Sequence, residues 1–459
     1  MEVADMTRRT TGEKTILLAI AGAVLCAQVL SFAYFSVAAS HNPAAAMYPV
    51  LAGDSQDYVL LADNMLAHHV FSDSPDLAPS RERSPGYPIL ILVSKVLTNS
   101  LLPIILLQIV LGCLAAVLTY LIARAFVSPA LSIAAALLYG LDPIVIFSNT
   151  TILTDGICSS LLICAVYLGV FQSRLRGPLV WAAVALILSV ATLIRPIIEV
   201  LVILAPLALL WREKAAGAFP RPRTLVGMFG AYILVCAFIL MPWMLRNERV
   251  FHSFEIAHIG VEDILAYDVG GMLDWRQLQA EGRPMAAILI PRHINDPMFA
   301  PSNALIQTEL ARETPPGGDP ENSDGAVVKH FILGDPFGYA YFHLINTVPF
   351  FLGGSVNAYI QAIHQIRDNS GFYAPTMLGA LDAFTRLRSG AGVDTNDVLL
   401  LALVAIETIF WLIICALCAV SLFVRRFEVY TLVAIIGYLA VATGALAIAR
   451  YRIPAEPYL

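Results

Sequence analysis

The residues able to do chemistry in this sequence lie in a few short polar stretches. The densest runs from Gly53 to Pro88, where G-D-S-Q-D-Y-V-L-L-A-D-N-M-L is followed by a polar span and then R-E-R-S-P-G-Y-P. It holds Asp54, Asp57, Tyr58, Arg81, Arg83 and Tyr87. A carboxylate at a water–lipid boundary, beside a second acid that raises its pKa, can take a proton from a hydroxyl, so Asp54 is a candidate general base. A second role fits the same residues: Asp54 as the N-cap of a helix, with Asp57 placing negative charge in its first turn. Arg83 precedes a proline-pinned turn that would aim its guanidinium. Arginine grips phosphate through two parallel hydrogen bonds, or it can reach up to the headgroups as a snorkelling cation.

Other ionisable groups fall at the ends of apolar runs: Asp142, Asp155, Arg195, Arg246, Arg450 and Arg452. Charge is costly in apolar surroundings, so several such groups gathered on one side of a membrane point to a site. Arg195, in L-I-R-P, has Glu199 four residues on, and an ion pair one helical turn long is as good an account as substrate binding. Arg246, in P-W-M-L-R-N, also fits an interfacial anchor beside Trp243. The sequence contains no dinucleotide fingerprint, Walker A motif, HExxH or Cys/His cluster at metal spacing, so no cofactor is expected, with a divalent metal left open. His68 and His69 are adjacent and would point apart on a helix.

The elements that must position these groups follow from composition. Of the 459 residues, 58% are hydrophobic and 14% charged, and the mean hydropathy is +0.74. That is more apolar surface than a soluble core absorbs, so the expectation is an all-α integral membrane protein. Apolar runs able to cross a ~30 Å hydrocarbon layer predict nine spans, near 15–38, 101–123, 129–147, 154–171, 178–194, 196–211, 225–244, 398–424 and 429–449. The first is long for a signal peptide and is read as an uncleaved anchor.

With the N-terminus in the cytoplasm, Arg124, Arg174, Arg176, Arg212, Lys214, Arg221, Arg223, Arg425 and Arg426 all fall in cytoplasmic turns. The first outer loop (40–100), the segment 247–397 and the tail from Arg450 then face outward. Helices over 54–70 and 88–98 should lie in the interface, and 326–352 should form an amphipathic helix. The expected organisation is a catalytic membrane module (1–246), a mainly helical outer domain (247–397) and a C-terminal membrane segment (398–459). Residues 247–397 carry eighteen Asp/Glu against nine Lys/Arg, which excludes nucleic acid as a partner. All seven cysteines lie in apolar segments, so no disulfide framework is expected.

G-D-S-x-x-Y-x-x-L-A-x-N-x-L, R-x-P-G-Y-P, L-I-R-P, P-W-x-x-R-N and R-Y-R-x-P-x-x-P, in this order and with common sidedness, resemble the GT-C glycosyltransferases. Within these the chain is most similar to the protein-mannosyltransferase-like branch that includes aminoarabinose and galacturonic-acid transferases of lipid A. The resemblance implies transfer of a sugar, with inversion, from a polyprenyl-phosphate carrier to a lipid, glycan or protein acceptor at the outer face of the inner membrane. It implies Asp54 and Asp155 as the catalytic acids and Arg83 as the cation on the carrier phosphate. Asp57, Tyr58, Tyr87, Arg195, Arg246, Arg450 and Arg452 are the further candidates for substrate and phosphate binding. The alternative function is a transporter or lipid flippase, which would place its polar groups at mid-bilayer between related halves.

Overall fold

The computed structural model describes residues 2–42, 48–50, 54–74, 76–172, 176–215, 217, 219–281, 300–318, 320–352, 355, 395–424, 426–444 and 449–459. Gly53, Arg174, Arg425 and most of 353–394, all part of the sequence reading, lie outside the described residues. Helix is the sole regular secondary structure among the described residues. The helices are α1 Glu2–Ser40, α2 Asp54–His68, α3 Gly86–Thr98, α4 Leu102–Ala123, α5 Pro129–Gly140, α6 Pro143–Thr150 and α7 Asp155–Val166. A π-helical turn, Tyr167–Phe171, extends α7. Then come α8 Pro178–Ile194, α9 Glu199–Ala215, α10 Pro222–Phe251, α11 Ile259–Asp263, α12 Gly270–Ala280, α13 Ala300–Glu313, α14 Asp324–Gly334, α15 Pro336–Asn346 and α16 Val348–Leu352. The last are α17 Thr395–Ser421, α18 Phe427–Thr443 and α19 Ala449–Arg452.

Four described helices are each long and apolar enough to cross a membrane: α1 from Gly12, α4, α10 and α17 from Val404. The run expected as one span at 129–147 is broken. Asp142 caps α6 by accepting from the Ile144 N–H, and Pro143 opens the new helix, so α5 and α6 meet at a 50° bend and make a fifth candidate span. Helices α3, α8, α18 and the α7 segment to Phe171 are apolar but shorter. Their buried faces form one core through α1, α4 to α10 and α18, built on Trp181, Tyr120, Phe35 and Ile163. Outward, α10 presents Phe238 with 80% of its surface exposed, as a lipid-facing helix does.

The first loop carries two short helices, as expected. α3 begins at Gly86, two residues before the expected start, and Lys95 of α3 pairs with Asp63 of α2 at 2.5 Å. The 326–352 stretch is not one helix. Asp335 leaves helical geometry and caps α15 through Gly338 N–H, so the segment divides into α14, α15 and α16. Leu265, Val269, Ile306, Leu310 and Val327 form a small apolar cluster of their own among these outer helices. The tail from Arg450 packs into the bundle. Ile453, Ala455 and Tyr458 join the main core, and the Ile453 carbonyl accepts from Ser159 Oγ of α7.

Gly86 shows how closely the first loop is drawn onto the bundle. A Cβ there would stand 2.6 Å from the carbonyl oxygen of Leu193, at the end of α8. Backbone cannot yield as a side chain can, so R-S-P-G-Y-P needs its glycine to approach L-I-R-P. Gly86→Ala is expected to destabilise the protein by about 1–3 kcal/mol. Gly230→Ala on α10, which meets nothing within 4 Å, should be neutral or slightly stabilising. Thermal unfolding of the two variants in detergent checks this.

Candidate functional site

A few local bonds bring the first loop against the end of α6. Ser55 Oγ donates to the Ile152 carbonyl at 2.7 Å, and Tyr48 Oη donates to the Thr150 carbonyl at 2.6 Å. The carbonyls that α6 leaves unpaired at its C-terminus are collected by one buried side chain: Gln108 Nε2 of α4 donates to Ser148, Asn149 and Thr151. Gln108 Oε1 in turn accepts from Tyr87 Oη at 2.6 Å. Tyr87 therefore positions α3 and has Tyr58 packed edge-on at 5.0 Å. Asp54, at the start of α2, thus lies beside Asp155, at the start of α7.

These two acids and four further side chains interlock. Arg83 Nη2 donates to Asp54 Oδ1 and Asp57 Oδ2, each at 3.0 Å. Arg450 Nη2 donates to Asp54 Oδ2 at 2.5 Å, and its Nε forms an ion pair with Asp155 Oδ2 at 3.0 Å. Arg195 Nη1 donates to Asp155 Oδ1 at 2.5 Å and to Thr154 Oγ1 at 3.1 Å. The order is Asp57, Arg83, Asp54, Arg450, Asp155, Arg195: three carboxylates alternating with three guanidinium groups. The network grades from Asp155, whose side chain is fully buried, through Asp54 at 28% exposure to Asp57 at 40%. Tyr451 lies against both Arg195 and Arg450, its ring centroid 4.9 and 5.3 Å from their guanidinium carbons, and Arg83 sits 5.5 Å from the Tyr58 ring.

Three expectations change. Arg195 pairs with Asp155 rather than Glu199, because its backbone is extended and a 3-10 turn, Pro196–Ile198, replaces the α-helical turn that an i,i+4 pair needs. Asp54 spends both carboxylate oxygens on arginines rather than on capping α2. Its carboxyl is also not raised by a neighbouring acid: burial pushes it up, but Arg450 and Arg83 outweigh burial and hold it down at about 2.

Arg246 and Arg452 are not part of the network. Arg452 is buried in the tail, donating to Glu456 and the Phe350 carbonyl with its guanidinium carbon 3.6 Å from the Trp411 ring centroid. Arg246 donates to the Ser80 carbonyl at 2.7 Å and lies against Phe71, Trp243 and Phe251. Its neighbours act the same way: Trp243 Nε1 and Asn247 Nδ2 both donate to the Ile256 carbonyl. His258 and Ile259 then donate their backbone N–H groups to the carbonyls of Arg81 and Glu82. The P-W-x-x-R-N motif and the strand of chain after it thus hold three successive carbonyls, 80 to 82, just before Arg83.

Sequence reasoning missed several groups here. Gln108 and Thr154 look like ordinary buried polar residues, and Tyr451 was visible only as the middle of R-Y-R. Asp263, on α11, makes no ion pair among the described residues. Burial pushes its carboxyl up to about 7 against the pull of Arg83. Glu82 is likewise raised to about 7 by burial. Among the described residues no group of three or more His, Cys, Asp or Glu is arranged to hold a metal ion.

Residues 83–243 match the model of a family described as dolichyl-phosphate-mannose-protein mannosyltransferase. The match begins at Arg83 and ends at Trp243, and so takes in Asp155 and Arg195. No curated protein matches the chain. Among solved structures, the crystal structure of ArnT from Cupriavidus metallidurans bound to undecaprenyl phosphate aligns with 98% of this chain and 78% of its own. The two are 14% identical with a TM-score of 0.38, a likeness too loose to equate individual residues.

His258 fastens the outer helices to the loop that carries Arg83. Its Nδ1 and Nε2 meet Glu255 Oε1 at 3.2 Å and Asp324 Oδ2 at 3.1 Å. Burial lowers its pKa, but the two carboxylates outweigh this and bring it up to about 9. A histidine raised from about 6.5 contributes stability in full below that pH and loses it as pH rises through about 9. The melting temperature of His258→Gln should therefore lie below that of the wild type at pH 6, with the gap closing by pH 10. A gap that does not change with pH would refute the charged clamp.

Proposed function

We propose that the chain is a membrane glycosyltransferase that moves a sugar from a polyprenyl-phosphate carrier to a lipid, glycan or protein acceptor on the outer face of the inner membrane. The observation that carries this reading is the six-membered network of aspartates and arginines. It joins the first loop, the start of α7, the end of α8 and the C-terminal segment, within a chain whose 83–243 stretch matches a family named for a dolichyl-phosphate-mannose donor. A polyprenyl donor stays in the bilayer, so such chemistry belongs at the interface and needs no soluble nucleotide-binding fold.

In the proposed reaction the acceptor oxygen attacks the anomeric carbon on the face opposite the phosphate. The bond between that carbon and the phosphate oxygen breaks, and the polyprenyl phosphate leaves with the electron pair. The acceptor proton passes to a carboxylate. Arg83 and Arg450 are the groups we assign to the departing phosphate, whose growing charge fixed cations stabilise. Asp54, held at about 2 by the same two arginines, is a weak base in this arrangement. A donor phosphate that engaged both guanidinium groups would draw them from Asp54 and raise its proton affinity, so donor binding and base activation would be one event. Asp155 and Arg195 form the buried end that keeps Arg450 in place.

Purified protein mixed with polyprenyl-phosphate sugars and candidate acceptors tests the assignment. Asp54→Asn should lower kcat by roughly 10²-fold or more while the protein stays folded. Arg83→Gln should weaken donor use most strongly. Normal transfer by a well-folded Asp54→Asn variant would refute the base assignment.

A further inference from the structure

At the opposite pole of the bundle from the acid–arginine network, the turn after α4, the π-helical end of α7, the start of α8, the end of α9 and the start of α18 line an open cavity of about 610 Å³. Its rim is basic, with Arg176, Arg212 and Arg426, and its walls are aromatic, with Phe171, Trp211, Phe427 and Tyr430. Trp211 and Tyr430 lie parallel, 6° apart in plane with centroids 5.9 Å apart. The surface beside it is lipid-like: Leu207, one turn from Trp211 on α9, and Phe423, just past α17, are 63% and 85% exposed. Aromatic walls with a cationic rim mark the membrane interface, and basic pockets between spanning helices suit anionic headgroups.

The three arginines are not equivalent. Arg212 is committed, donating to the Leu168 and Gly169 carbonyls and to Glu213. Arg176 is exposed and makes no ion pair among the described residues. Arg426 is oriented by Nη1 donating to the Ala125 carbonyl and by stacking on Phe126 at 4.8 Å. Its other edge, Nε and Nη2, meets the two oxygens of Glu428 at 3.4 and 3.2 Å. That edge is the one arginine offers to a carboxylate or a phosphate. Exposed pairs of this kind contribute only about 0–1 kcal/mol, so an incoming anion displaces the carboxylate at little cost.

We propose that this cavity binds the phosphate of an anionic phospholipid from the adjoining leaflet, with Arg426 and Arg176 on the phosphate, Glu428 as its internal stand-in, and the aromatic walls against the glycerol and upper acyl chain. The site is independent of the sugar-transfer reading, since none of its residues belongs to the acid–arginine network.

Full-length protein in detergent would be titrated with phosphatidylglycerol, with phosphatidylcholine and with soluble glycerol phosphate, and bound lipid counted by native mass spectrometry. Phosphatidylglycerol should bind in preference to phosphatidylcholine, and more weakly as salt rises. Arg426→Gln combined with Arg176→Gln should lose roughly tenfold in affinity, equivalent to about 1.4 kcal/mol. Glu428→Gln should gain several-fold, a change that misfolding would not produce. Equal retention of phosphatidylcholine, or no gain in Glu428→Gln, overturns the proposal. Competition by glycerol phosphate at the same concentration as the lipid also overturns it, because the site would then be one for a free phosphate ester.

Discussion

A carboxylate that leaves water and stays charged needs a positive partner, and the acid–arginine network is built on that constraint. Asp155 is fully buried at the head of α7 and is held from two sides, by Arg195 and by Arg450. Breaking a buried pair by removing one member leaves an uncompensated charge, typically at about 3–5 kcal/mol. The local architecture serves these partnerships. The α8 helix stops so that Arg195 extends toward Asp155, Gly86 admits the first loop to the end of α8, and the tail turns inward to deliver Arg450. Packing and charge neutralisation are here the same requirement, met by residues from four separate parts of the chain.

The alternation of sign also explains why the network has a chemical direction. Its carboxylates run from Asp155, fully buried and held by Arg195 and Arg450, to Asp57, the most exposed of the three, which shares Arg83 with Asp54. The outer helices reach this end through the chain around His258, and the carbonyls of residues 80 to 82 give them their hold. Arg246 thereby influences Arg83 without touching it.

Much of this was legible in the sequence. The apolar runs identified a helical membrane protein, and the rarity of charge at their ends marked Asp54, Asp57, Arg83, Asp155, Arg195 and Arg450 together with Arg81, Asp142, Arg246 and Arg452, four groups that lie outside the network. Partnership was not legible. Asp54 meets Arg83 across 29 positions and Arg450 across 396, and no local pattern encodes such a contact. Arg450 and Arg452 look alike in R-Y-R, yet one reaches the network and the other is consumed by Glu456 and backbone carbonyls. Glu199 was persuasive because helical spacing was assumed through Pro196, and the 3-10 turn removes that assumption. The break at Asp142 was written in D-P, a cap followed by a first-turn proline, but hydropathy averaging hides it.

The separation of Asp54 from Arg450 has a consequence in time. A chain lengthens at roughly 5–20 residues per second, so the 396 positions between them take on the order of half a minute to a minute to synthesise. Throughout that interval the first loop already holds Arg83 and Asp57, while one oxygen of Asp54 and one of Asp155 wait for a partner that has not been made. The site is therefore closed only once Arg450 has been made, and a polypeptide that stalled before it would lack a neutralised centre.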